Sequence, residues 1–542
     1  MKTMSVFGVV LVARLFSAKF LHITDCDETY NYWEPLHYLL YGKGLQTWEY
    51  SPAYGLRSYL YLILHAAPAW ILQKLTLLDS TSLFYCIRCI LAVVCASLEA
   101  IMFRSVHRNF GSLIAKLWLM FQVFSPGMFI SSTALLPSTF SMYLTIAFVS
   151  MWWEKHYKLA ILSIVISSFI GWPFAAFVSL PFVYNVLVQQ RLFRMFLCWS
   201  CLFAILIGVP LVIVDSYLYG NLTFAPFNIV VYNIFSQHGP NLFGVESKYF
   251  YFINLFLNFN VVWCFAMLCP SVIVLKFALQ KIAPVKLHAN RLQQGILWKI
   301  SPLYVWMLMF FMQPHKEERF IFPVYPMVTL CGAIAITTIM QVMDMLFQRY
   351  GKHTLRMLRN ALLCGASLTF IVLSLSRLFA LYVNYHAPME ISSRVDVSPA
   401  AKNICLGKEW HRFPGNFFLP SNYRLRFVRS HFNGLLPAYF DETEMGSTVV
   451  HSYFNNMNQP NSHMLFDISK CDYIVDFDTE ENLSLNETEP NYSKDSATWE
   501  IVHSVPFLNS GVSHSVYRAF YAPYIGKKYV KFGSYNLLAR KM

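Results

Sequence analysis

Of 542 residues, 56% are hydrophobic, 17% aromatic and only 13% charged, which excludes a water-soluble domain of this length. The formal net charge of +13 does not call for a nucleic-acid partner, because Lys and Arg collect in the cytoplasmic loops of a membrane protein. Of the twelve cysteines, Cys26, Cys405 and Cys471 lie outside apolar stretches, and the last two are a candidate disulfide if their region sits in an oxidising lumen.

A bilayer core of about 30 Å takes roughly 20 apolar helical residues per crossing. The first such stretch, Met4 to Phe20, reads as a signal anchor or a cleaved signal, and either delivers residue 22 onwards to the far side of the membrane. Residues 22–82 read as a long mixed loop with the acids Asp25, Asp27, Glu28, Glu34, Glu49 and Asp79 against Lys43, Arg57 and Lys74. Further spans are predicted near 84–103, 114–131, 138–152, 158–171, 173–189, 195–214, 251–275, 298–313, 320–342 and 360–381, about eleven with the first. Arg14 and Arg88, near span ends, are expected to snorkel to the interface.

Threading the chain alternately gathers the basic connectors on one side, from Arg104, Arg108 and Lys116 through Arg191 and Arg194 to the runs at 276–299 and 349–359. That side is the cytosol. Residues 22–82, 215–250, 314–319 and everything after 382 then face the lumen, as do the Asn-x-Ser/Thr acceptors Asn221, Asn482, Asn486 and Asn491. The chain divides into a transmembrane module, 1–381, whose first lumenal loop is 22–82, and a C-terminal lumenal domain, 382–542. In the latter, CDYIVDFD (471–478) and SHSVYRAFY (513–521) read as strands of an α/β or α+β domain.

Three motifs could carry chemistry. DCDETYNYWEP (25–35) places Asp25, Asp27 and Glu28 at the membrane surface, where mutual repulsion raises at least one pKa and leaves it able to accept a proton. Tyr30, Tyr32 and Trp33 offer stacking faces for sugars, although interfacial belts favour the same residues, and solvated loop acids are the plain alternative. In TWEYSPAYGLRSY (47–59), Arg57 either binds a phosphate or pairs with Glu49. HKEERFIFPVYP (315–326) sets His315, Lys316, Glu317, Glu318 and Arg319 at a span boundary, where such a run must pair internally or bind something charged. The Ser-, Gly- and Pro-rich turns 131–138 and 237–244 read as plain connections sooner than as the lining of an entrance, the alternative for both, and His22, His37 and His65 lack metal-ligand spacing.

Taken together, DCDETYNYWEP, WEYSPAYGLRSY and HKEERFIFPVYP resemble glycosyltransferase family twenty-two, the polytopic C-type mannosyltransferases. Within it the wording is most similar to the endoplasmic-reticulum α-1,2-mannosyltransferases of asparagine-linked glycosylation. The α-1,6 and glycolipid-anchor mannosyltransferases share the acid pair and the HKE-type motif but differ around them. The resemblance implies transfer of mannose from dolichyl-phosphate-β-mannose to a dolichyl-diphosphate-linked oligosaccharide in the lumen, as the seventh and ninth mannoses. A β donor and an α product imply inversion by one displacement. Asp27 is then the first choice of base, with Asp25 and Glu28 open; His315, Lys316, Arg319 and Arg57 hold the donor phosphate; and Tyr32, Trp33, Glu34, Glu49, Glu317 and Glu318 support the motifs. No cofactor, metal or nucleotide is implied, and membrane lipids surround the whole. A sugar or lipid transporter and a non-catalytic scaffold are the rivals from other classes; paired repeats, the usual mark of a transporter, are absent from the sequence.

Overall fold

The structure, a computed structural model, describes residues 3–236, 239–282, 295–347, 352–396, 399–479 and 489–541. The basic runs around 283–294 and 348–351, and the acceptor residues Asn482 and Asn486, lie outside the described residues.

All eleven expected spans fall on helix. Among the described residues, six helices are long and apolar enough to cross a membrane: Thr3–Phe20, Ser80–Phe110, Phe193–Tyr219, Phe250–Lys281, Glu318–Leu346 and His353–Tyr385. The other five coincide with shorter or interrupted helices, such as Ser112–Phe124 followed by Pro126–Ser131, and Ile296–Met312. The last long helix runs to Tyr385, a few residues past the expected boundary.

Arg14 and Arg88 do not snorkel; both are buried. Arg14 donates to Glu99 from Nε (2.9 Å) and Nη2 (2.7 Å), and Gln122 and Thr329 extend that network across four helices. An ion pair in the bundle interior is tolerated because both charges are hydrogen-bonded to one another and to neighbours. Arg88 donates to the carbonyls of Leu21 and Ser17 and to Thr133, pinning the end of the first helix where the acidic loop begins.

The first loop is not irregular. Residues 26–41 form a continuous helical run, Cys26–Glu28, a π-turn at Thr29–Trp33 and Glu34–Tyr41. Asp25 caps it, its Oδ1 accepting from the Asp27 N–H at 2.9 Å, and Gly42 ends it in the left-handed region (φ 69°). A second helix, Tyr59–Leu75, contains Pro68 and returns the chain to the same end of the bundle, where Thr81 donates to the Phe417 carbonyl. One face of it, Tyr61, Leu62, His65 and Ala69, is buried, and its start is fixed by Asp215, whose Oδ1 accepts from the N–H of Tyr59 (2.9 Å) and of Leu60 and from the Ser58 hydroxyl.

The C-terminal domain is a mixed five-stranded sheet. Numbering all strands in chain order, β1 is Leu45–Gln46, β2 Lys402–Leu406, β3 Tyr423–Phe427, β4 Ala438–Tyr439, β5 Tyr473–Asp478, β6 Trp499–Leu508 and β7 Phe532–Arg540. The sheet order is β3-β2-β5-β7-β6, with β2 parallel to β3 and β5, and β7 antiparallel to β5 and β6. Segment 471–478 forms β5 as expected. Segment 513–521 does not form a strand: His514 caps a short helix, Ser515–Ala519, by accepting from the Val516 N–H, and one helical turn outcompetes the weak alternation. Cys405 and Cys471 are joined in a disulfide across the start of the sheet.

This domain is locked onto the first loop. Strand β1 pairs antiparallel with β4, the Tyr30 hydroxyl donates to the Trp410 carbonyl (2.5 Å), and Glu34 accepts from the main-chain N–H (2.5 Å) and side chain (2.7 Å) of Asn416 and from the Leu45 N–H. Gly415 (φ 92°) allows this approach, since a Cβ there would collide with the Glu34 carboxylate.

Candidate active site

The helical run after Asp25, the 47–58 segment and the 315–320 turn converge on one cavity of about 770 Å³, roofed by the C-terminal domain. Asp27, Glu49, Arg57, His315, Glu317 and Arg319 line it.

Arg319 is the centre of the ionic wall. Its Nη2 donates to Asp27 Oδ2 at 2.5 Å, its Nη1 to Asp25 Oδ1 at 3.2 Å, and it also pairs with Glu317. Motifs almost 300 residues apart in sequence thus meet at one guanidinium. The environment separates the two aspartates. Burial, with Asp27 and Glu317 close by, pushes Asp25 up to about 7 against the opposing pull of Arg319. Burial also acts on Asp27, but Arg319 and Arg57 together with a hydrogen bond from Asn31 hold its carboxyl below the usual carboxylate range. Of the two aspartates, Asp27 is therefore the one that is held ionised and lines the cavity.

Arg57 pairs with Glu49 through Nε (3.1 Å) and Nη2 (2.9 Å), and its Nη1 donates to the Tyr32 hydroxyl at 2.8 Å. The structure thus shows the pairing with Glu49, and the paired Arg57 still lines the cavity. Its main chain is held from a distance, the Tyr219 hydroxyl donating to the Arg57 carbonyl at 2.7 Å while Asp215 fixes the three residues that follow. His315 Nε2 meets Glu317 Oε1 at 3.2 Å and Nδ1 meets the Gly244 carbonyl at 2.8 Å. Burial lowers the imidazole, yet these two acceptors outweigh it and leave it raised.

Other expected site residues face elsewhere. Glu28 is buried and accepts from Trp33 Nε1 (3.0 Å) and the Leu135 N–H (2.9 Å), so it shapes the loop and does not reach the cavity. Lys316 is buried and donates to the Gln313 carbonyl, closing the turn instead of presenting charge to a ligand. Glu318 accepts from Asn258 at 2.8 Å, on the side away from the cavity. Trp33 packs on Phe84 (ring centroids 4.3 Å apart), and Glu34 serves the interdomain contact described above.

The acceptor asparagines also differ. Asn221 is exposed, with Thr223 donating to its Oδ1 at 2.6 Å. Asn491 is buried and donates to Asp478 at 2.6 Å, so the folded domain shields it from modification.

Leu136, Pro137 and Ser138, and Leu242 and Phe243, come from the two turns for which lining an entrance was the alternative to a plain connection, and they line the cavity. The rest of the lining escaped the sequence reading. Trp172, Phe174, Phe177, Phe310 and Phe320 form an apolar flank towards the bundle. Trp410, Phe432, Leu435, Leu436, Pro437 and Asn458 come from the C-terminal domain. Aromatic composition is common throughout this chain, and no local pattern marks these positions.

Asp25, Cys26 and Asp27 are a group whose ligand atoms lie within 4.8 Å of one another. The Arg319 guanidinium already sits on both carboxylates, so a cation would have to displace it.

An acid-bearing first loop on a multi-pass helical bundle, closed by a C-terminal domain, is the architecture of the C-type membrane glycosyltransferases. ArnT from Cupriavidus metallidurans, in its crystal structure bound to undecaprenyl phosphate, superposes with a TM-score of 0.53 over 92% of this chain and 96% of its own at 12% identity, which establishes the fold. The model of the Alg9-like mannosyltransferase family matches residues 5–420, and the chain belongs to that family. Among its relatives, the α-1,2-mannosyltransferase Alg9 of Drosophila melanogaster is 46% identical over 99% of this chain and 87% of its own length. The human α-1,2-mannosyltransferase ALG9 is 41% identical over 98% and 88%. The Saccharomyces cerevisiae enzyme of the same name is 32% identical over 96% and 92%.

Proposed function

We propose that this protein is an inverting α-1,2-mannosyltransferase of the endoplasmic reticulum membrane. It moves mannose from dolichyl-phosphate-β-mannose to the dolichyl-diphosphate-linked precursor of N-glycans, as the seventh and ninth mannoses, on the lumenal side. The observation that carries this reading is the ionised Asp27 in the cavity wall, held by Arg319 of the HKEER turn.

The acceptor 2-hydroxyl attacks C1 of the donor mannose from the face opposite the phosphate. Asp27 takes the hydroxyl proton, the C1–O bond to phosphate breaks, and its electron pair leaves with the dolichyl phosphate. A phosphate leaves without being protonated, so the protein's task is to hold its negative charge. Arg57 and Arg319 line the cavity and are already oriented by their carboxylate partners, and protonated His315 adds a third donor. With charge held by these groups, no metal, nucleotide or other cofactor is required, and transfer should persist in excess chelator.

Lumenal placement of the site is supported by the disulfide Cys405–Cys471, which needs an oxidising compartment, and by the shared location of the first loop and the C-terminal domain at one end of the bundle. The test is incorporation of labelled mannose from dolichyl-phosphate-mannose into defined lipid-linked oligosaccharides by purified protein. Wild type is expected to extend the acceptors and Asp27→Asn to fail. Absence of product with wild type would overturn the reading.

A further inference from the structure

The ionic wall accounts for the donor phosphate and the base, but not for the opposite side of the cavity. Among the described residues, the C-terminal domain contributes no ionisable side chain to the lining, which there consists of Trp410, Phe432, Leu435, Leu436, Pro437 and Asn458. Uncharged aromatic faces beside a single amide do not hold a phosphate. They do match the apolar C–H faces and hydroxyl edges of a sugar, and rigid aromatic rings offer large contact area at little entropic cost.

The wall is built. Trp410 and Phe432 lie with ring centroids 4.6 Å apart, and Phe432 is 38% exposed. Trp410 is anchored by the hydrogen bond that its carbonyl accepts from Tyr30, three residues after Asp27. Asn458 adopts φ 52°, which asparagine tolerates better than most residues, and its Oδ1 accepts from the Leu435 N–H at 2.9 Å. Its Nδ2 donates to nothing among the described residues. Gly434 lets these groups converge, since a Cβ there would lie 2.5 Å from Phe432 Cζ and 2.8 Å from Asn458 Oδ1. The β1–β4 pairing begins one residue after Pro437 and, on the other strand, ends one residue before Thr47, so this wall is held in register with the Thr47–Glu49 lining.

We propose that this wall is the acceptor subsite: the mannosyl branch end stacks on Trp410 and Phe432, with Asn458 Nδ2 donating to a sugar oxygen, and its 2-hydroxyl is thereby presented to Asp27. The proposal rests on the transferase reading and adds to it how one site serves two branches. A site that reads a ligand through many hydrogen bonds rejects a near relative by about 10⁴-fold or more, whereas apolar contact discriminates only about 10- to 200-fold. Stacking with one amide accepts a mannose at the end of either branch.

The experiment uses the full-length purified protein, a short-chain isoprenyl phosphate mannose as donor, and isoprenyl-diphosphate oligomannose acceptors ending in either branch. Trp410→Ala and Phe432→Ala are expected to raise the acceptor KM about ten-fold for both branches, with donor KM within about two-fold of wild type, and Trp410→Phe to recover most of the loss. Phe432→Leu keeps apolar packing without a ring face, so it tests stacking with the fold preserved, and it is expected to weaken acceptor binding as well. Unchanged acceptor KM in Phe432→Leu and Phe432→Ala, a rise confined to the donor, or loss for one branch alone would overturn the subsite. Wild-type protein that transfers to neither acceptor would instead overturn the transferase reading itself.

Discussion

The two walls of the cavity are built on opposite principles. One is ionic, assembled from residues 25–57 and 315–320, and every charge in it that touches the cavity has a partner of opposite sign. The other is uncharged, assembled from residues 410–458, and relies on ring faces and shape. Charge is what a displacement at a phosphate-bearing carbon needs, and it must be fixed before substrate arrives, because reorganising dipoles during the reaction costs rate. Recognition of a neutral sugar needs surface. The contrast explains why the ionic wall lies in the loops next to the membrane, where a lipid phosphate sits, and the neutral wall in the domain beyond it.

Several measurements would break or sharpen this contrast. The largest effect is expected from Asp27→Asn, a loss of kcat of about 10³-fold, within the range that a positioned general base contributes. Arg319→Met should cost about 10²-fold in kcat/KM by removing phosphate stabilisation and freeing Asp25, Asp27 and Glu317 to repel one another. Should Arg319→Met retain wild-type turnover, the ionic wall would not be the catalytic one.

The pH profile separates the two aspartates. A base works above its pKa, so rate rises as pH rises through that value. With Asp27 as base, its depressed pKa places the acid limb below the ordinary carboxylate range, so kcat/KM shows no acid limb near 7. An acid limb near 7 that vanishes in Asp25→Asn would assign the base to Asp25 instead. On the alkaline side, His315 loses its proton above its raised pKa, and donor KM should climb there in wild type but not in His315→Gln.

Smaller effects test the residues turned away from the cavity. Lys316→Met should change kcat/KM by no more than about three-fold, since its ammonium serves the Gln313 carbonyl. Glu28→Ala should lower thermal stability, by roughly 1–3 kcal/mol, because the Trp33 indole N–H and the Leu135 main-chain N–H both lose the one oxygen, Oε1, that accepts them. A phosphate role for Lys316 would show as a large rise in donor KM.

Legibility followed the same division. Spans were readable because apolar length is a strong signal, and the ionic motifs because charge at a membrane boundary is costly and therefore rare. Within a motif, though, the sequence could not tell a carboxylate facing the cavity from one facing the bundle. Glu28 stands next to Asp27, and a single helical step of about 100° takes it to Trp33 and Leu135. Lys316 and Arg319 diverge because Lys316 lies in the turn that precedes the helix Glu318–Val324, which carries Arg319. The helix Tyr59–Leu75 hid inside a mixed loop, with Tyr61, Leu62 and Ala69 on its buried face and Leu64, Trp70, Ile71 and Leu75 exposed. The neutral wall left no trace, since a Trp and a Phe in an aromatic-rich chain acquire meaning only when β1 and β4 bring them over Asp27.

That pairing has a consequence for biosynthesis. Glu34 and its partner Asn416 are separated by 382 residues, and among the described residues β1 pairs with β4 alone. While the chain is being threaded into the membrane, the first loop emerges with its Glu34 carboxylate met only by the Leu45 N–H and without the C-terminal part of the cavity lining. Those partners arrive with the last third of the protein, so any truncation upstream of Tyr439 leaves the first loop without the strand that pairs with it.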